Sequence, residues 1–80
     1  MPGQIAHYLY FSTDSDARAA AYELGTRGYA TTVREAAMGD SWLVLAVPEG
    51  HEVDPTAARP LLEELALRLS GEYDGWEAQV

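Results

Sequence analysis

The sequence predicts an α+β fold in which a four-stranded antiparallel sheet lies under two helices. Three observations carry this expectation. Residues 5–11 and 42–47 are rich in branched and aromatic side chains and apolar on both faces, as strands covered on both sides must be. Residues 15–27 and the segment after Pro55 carry apolar side chains at helical spacing. No repeat, low-complexity tract or linker interrupts them, so the 80 residues read as one domain, 1–80, in the order strand, helix, strand, strand, helix, strand.

In residues 5–11, Ile5, His7, Leu9 and Phe11 point to one face and Ala6, Tyr8 and Tyr10 to the other, because successive strand side chains alternate. A strand apolar on both faces belongs in the middle of a sheet. Ser12, Thr13, Asp14, Ser15 and Asp16 then offer N-cap oxygens and place carboxylates at the positive end of the next helix. That helix is expected over about 15–27. Its stripe of Ala17, Ala20, Ala21 and Leu24 is small enough to lie close on the sheet, and Gly28 is the expected stop. Residues 29–35 alternate Tyr29, Thr31 and Val33 against Ala30, Thr32 and Arg34, which is the pattern of an edge strand with one wet face.

Met38, Gly39, Asp40 and Ser41 form a turn into the third strand, 42–47, which is apolar throughout and ends at Pro48. Alternation alone leaves open whether Trp42, Val44 and Ala46 or Leu43, Leu45 and Val47 point away from the helices. Residues 48–55 interleave proline, glycine and acid as a surface loop does. The second helix has a stripe of Ala58, Leu61, Leu62, Leu65 and Leu69, with Glu63, Glu64 and Arg68 largely off it. Proline is comfortable only in the first turn, so Pro60 puts the start near 56–59, and Ser70 with Gly71 closes the helix. Residues 71–80 hold Tyr73 and Trp76 around an Asp74-Gly75 step, which reads as an edge strand with its glycine at a bulge.

With right-handed crossovers this order gives the ferredoxin-like arrangement, a sheet ordered 4-1-3-2 with both helices on one face. The other face then carries Tyr8 and Tyr10 with no layer over them, and Trp42 and Trp76 are candidates to join it. An apolar patch on a small domain marks association, most commonly as a two-fold homodimer. Tyr8, Tyr10, Trp42 and Trp76 are therefore the expected partner- or self-association residues.

Composition narrows the function further. A chain of this length buries only ~60–65% of the surface its unfolded form exposes, so its core is thin and a partner would help it. Thirteen acidic residues face five basic ones, all arginine, for a net charge of -8. Phosphate contacts supply most non-specific affinity for nucleic acids, so this charge opposes direct nucleic-acid binding. It suits docking on a basic partner. The absence of cysteine removes disulfides, thiolate nucleophiles and cysteine-ligated zinc, and makes a reducing cytoplasm the simplest setting. The longest apolar run, 42–48, is far short of the ~20 residues that cross a bilayer, and no stretch looks like a signal peptide.

No catalytic constellation emerges, and neither a cofactor nor a metal is expected. His7 lies in a strand, where a hydrogen-bonded packing role is the simpler reading. His51 lies in the acidic loop with Glu49, Glu52 and Asp54 but without the spacing of a calcium loop. The serines occupy caps and turns, and none has an elbow motif. Glu63 and Glu64 are neighbours on a helix and point in different directions. Gly25, Gly28 and Gly39 are too scattered for a phosphate loop. RNA-binding domains of the same topology stack bases on strand aromatics placed as Tyr8 and Tyr10 are, but residues 42–47 lack their basic, glycine-containing pattern.

His7-Tyr8-Leu9-Tyr10-Phe11, Asp40-Ser41-Trp42-Leu43 and above all Gly71-Glu72-Tyr73-Asp74-Gly75-Trp76-Glu77 together resemble the RraB family, regulators of ribonuclease E activity. The resemblance covers nearly the whole chain in order. It implies a ferredoxin-like domain that inhibits ribonuclease E by binding the protein and not the RNA, and it supplies no catalytic residues. The family's better-known members carry an additional acidic amino-terminal region, and this chain resembles their core. The expected function is thus a protein-binding regulator. The alternative, by analogy of fold, is a small-ligand-binding or assembly domain working as a homodimer.

Overall fold

The computed structural model describes residues 4–37, 39–50 and 54–79. Met38 of the expected turn, and His51 and Glu52 of the acidic loop, lie outside the described residues. The elements are β1 (Gln4–Phe11), α1 (Asp14–Gly25), β2 (Tyr29–Glu35), β3 (Trp42–Pro48), a 3-10 turn (Pro55–Ala58), α2 (Arg59–Arg68) and β4 (Glu72–Gln79). The strands form one sheet in the order β2-β3-β1-β4, in which every neighbouring pair is antiparallel. This is the expected 4-1-3-2 read from the other edge. The two strands apolar on both faces, β1 and β3, are the central ones.

Each helix begins and ends where its local chemistry requires. Thr13 caps α1, its hydroxyl accepting the Asp16 N–H at 3.1 Å, and Asp14 and Asp16 occupy the positive first turn. The helix stops at Gly25, two residues before the expected end. There the chain tightens through i→i+3 bonds from Arg27 N–H to Leu24 C=O and from Gly28 N–H to Gly25 C=O, and Gly28 takes a φ of 94°. Asp54 caps the 3-10 turn by accepting from the Thr56 N–H and hydroxyl, so Pro60 falls in the first turn of α2 as expected.

At the far end of α2 the left-handed residue is Ser70, with φ 59°, and the Gly71 N–H donates to the Ala66 C=O at 2.7 Å. Glycine is required at 71 for a different reason: a Cβ there would run into the Phe11 ring and the Tyr10 carbonyl.

The core lies between the sheet and the helices. Ala17, Ala20 and Leu24 of α1 and Leu62, Leu65 and Ala66 of α2 join Leu9, Phe11, Val44, Ala46 and Tyr73 in one buried cluster, which places both helices on the same face. Ala66 belongs to this cluster and Leu61 is only half-buried, a rotation of the stripe by part of a turn from the expected one. In register, His7, Leu9 and Phe11 of β1 stand opposite Ala46, Val44 and Trp42 of β3. Directly opposed residues share a face, so Trp42, Val44 and Ala46 point toward the helices and Leu43, Leu45 and Val47 away from them.

β4 contains the expected bulge. His7 pairs with Trp76 and Leu9 with Tyr73, leaving Asp74 and Gly75 together opposite Tyr8. Gly75 has a φ of 95°, a conformation that side chains beyond glycine rarely adopt.

Candidate partner-binding face

The face of the sheet away from the helices is built by alternation along four strands. Tyr8 and Tyr10 of β1 stand opposite Leu45 and Leu43 of β3, with Ala6 and Val47 continuing the same band. Ala6 and Leu43 are buried, while Tyr8, Tyr10, Leu45 and Val47 are half-buried, so apolar surface remains accessible along the middle of the sheet.

The two borders differ in charge. On the β2 side, Thr32 and Arg34 are opposite Leu45 and Leu43; on the β4 side, Glu72 and Glu77 are opposite Tyr10 and Ala6. The Tyr8 hydroxyl donates to Glu77 Oε1 at 3.1 Å, fixing the ring toward the acidic border. Two shallow recesses flank the tyrosines, one shared with Arg34, Glu35, Ala36, Ala37 and Leu43, the other with Asp74, Trp76 and Glu77.

Of the four expected association residues, Tyr8 and Tyr10 lie together on this face. Trp42 does not join them. Its register with Phe11 turns it to the helix side, where it packs against the core cluster. Trp76 is 40% exposed and stands opposite His7, on the helix side of the ladder, yet it also bounds the recess beside the tyrosines. This residue of the edge strand therefore borders both faces. Leu43, Leu45 and Val47 supply the rest of the apolar band, and only pairing with β1 reveals their phase.

Arginine is distributed unevenly. Arg18 pairs with Asp14 at 2.7 Å, Arg59 with Glu63 at 3.1 Å, and both Arg27 and Arg68 reach Glu23, at 3.7 and 2.5 Å. Four of the five arginines thus neutralise helix carboxylates, while Arg34, on the open face, makes no ion pair among the described residues. The Arg68 hydrogen bond is the main reason that the Glu23 carboxyl sits below the usual carboxylate range.

Other chemistry lies away from this face. His7 is completely buried on the helix side, its Nδ1 2.9 Å from the Tyr73 hydroxyl and its ring edge-on to Tyr29. Among the described residues no three His, Asp or Glu side chains converge to hold a metal ion, and no helix is long and apolar enough to cross a membrane.

The family model described as RraB, regulator of ribonuclease activity B, matches residues 2–78. No curated protein matches the chain.

Proposed function

The chain belongs to the RraB family, whose model spans residues 2–78, and on that premise we propose that it regulates a ribonuclease E-type enzyme by protein contact, without catalysis of its own. The family match is the observation that carries this reading. The sheet face that no described element covers supports contact as the mechanism: an accessible apolar band centred on Tyr8 and Tyr10, with an acidic border, has the composition of a docking surface. We read the whole as a ferredoxin-like unit that keeps its helices on one side and offers the other to a partner. In the absence of the enzyme the same face joins two copies as a homodimer. A regulator of this kind works in the cytoplasm, where its enzyme is.

Immobilised protein incubated with ribonuclease E fragments at moderate salt tests the reading. Retention of a fragment together with slower RNA cleavage is expected. Tyr8→Ser with Tyr10→Ser should weaken retention by roughly tenfold or more, since aromatic anchors dominate such contacts. No retention and an unchanged cleavage rate would overturn it.

A further inference from the structure

Between α2 and the outer edge of the sheet lies a notch whose floor includes Ala66 and Tyr73 of the core. Glu63, Ala66 and Leu67 form one wall and Gly71, Glu72 and Tyr73 the other. β4 is the last strand of the sheet among the described residues, so alternate N–H and C=O groups along it point away from β1 toward no described strand. Leu67 stands at the lip with 76% of its surface exposed, next to the buried Ala66. Such an isolated aliphatic side chain offers contact area that folding leaves unused.

The charge along this edge has one sign. Glu72, Asp74 and Glu77 follow one another on β4, and none makes an ion pair among the described residues. Arg59, the cation at this corner, is engaged by Glu63 and lies 5.7 Å over the Tyr73 ring.

We propose that this notch seats an extended, arginine- or lysine-bearing segment of a partner protein, added alongside the start of β4. An extended segment satisfies the strand's outward backbone groups, an aliphatic side chain packs on the exposed Leu67, and a cation meets Glu72. A second copy of this chain would bring the same acidic edge and a charge of -8, and a nucleic acid would bring phosphates; both meet repulsion here. The bulge at Asp74 and Gly75 breaks the ladder, so pairing is confined to the residues before it. The inference rests on the protein-contact reading above but assigns the contact to an edge and a groove, apart from the open face.

The test uses the whole isotope-labelled chain and a short synthetic peptide alternating arginine and valine, with a glutamate-for-arginine peptide as control. Amide shifts are expected at 66–67 and 71–74 with the arginine peptide only. Leu67→Ser and Glu72→Arg should each weaken binding by about fivefold, a contact worth ~1 kcal/mol. Both positions are exposed, and an unchanged melting temperature will show that both variants fold. No shifts at millimolar peptide, shifts spread over all the carboxylates or centred on Tyr8 and Tyr10, or an equal response to the glutamate peptide would overturn the proposal. A ribonuclease E fragment held equally by wild type and both variants would also overturn it, while leaving the regulatory reading intact. Peptide binding at the notch with no effect on ribonuclease would do the reverse.

Discussion

His7 and Tyr73, 66 positions apart in sequence, share one hydrogen bond in a core where a polar ring costs free energy unless it is paired. Either tautomer can be accommodated, because the phenol can donate to the imidazole nitrogen or accept from it. Tyr73→Phe keeps the ring that packs in the core and removes only the oxygen. The expected result is a loss of roughly 1–3 kcal/mol in urea unfolding, the cost of leaving a buried polar group without that partner. Adding His7→Leu should recover part of the loss, since it removes the imidazole nitrogen that Tyr73→Phe leaves without the phenol. An unchanged midpoint for Tyr73→Phe would show that the bond contributes nothing net. The packing role of His7 was legible from its place between Ile5 and Leu9 on one strand face. Its partner was not, because the direction in which Tyr73 points depends on where the bulge resets the phase of β4.

Elements were more legible than their orientations. Alternation in β1 and uniform apolarity in β3 identified the central strands, and Asp74-Gly75 identified the bulge, because each signal is local. The phase of β3 is set by its register with β1, a long-range fact, and this turned Trp42 inward and left Leu43, Leu45 and Val47 on the open face. In α2 the buried Ala66 and the exposed Leu67 invert what hydrophobicity alone suggests, because the helix meets the sheet through a small residue.

The helices are also tied to each other, through Arg68 of α2 and Glu23 of α1. Because the folded state holds the Glu23 carboxyl below its usual range, chiefly through the Arg68 hydrogen bond, it binds its proton less readily than the unfolded chain does. The resulting stability is present above the unfolded carboxyl value and is lost as pH falls through the folded one. Glu23→Gln should therefore lower the urea midpoint at neutral pH and leave a smaller difference at pH 3. A gap between wild type and variant that is the same at both pH values would show that Glu23 acts through packing alone. Both proteins share every other carboxylate, so their difference isolates this group.

At the scale of the whole molecule, the two contacts proposed for the open face respond to salt with opposite signs. The strands are 7 or 8 residues long, so the four-stranded face measures about 14 by 24 Å, roughly 350 Å² of footprint before side-chain relief. A stable interface takes ~800 Å² from each partner, so self-association through this face alone is weak. It also brings together two bodies that each carry -8, an opposition that salt relieves once the Debye length shrinks to ~10 Å at 0.1 M. A basic partner gains from the same charges that repel a second copy, and salt removes that gain. Sedimentation velocity over a salt series should therefore show self-association strengthening as salt rises, while binding of a cationic partner weakens over the same range. If self-association also weakens with salt, then Arg34 facing the partner copy's acidic border contributes more than net repulsion does, and the two copies are related by an axis along the strands, which sets each β4 over the other's β2.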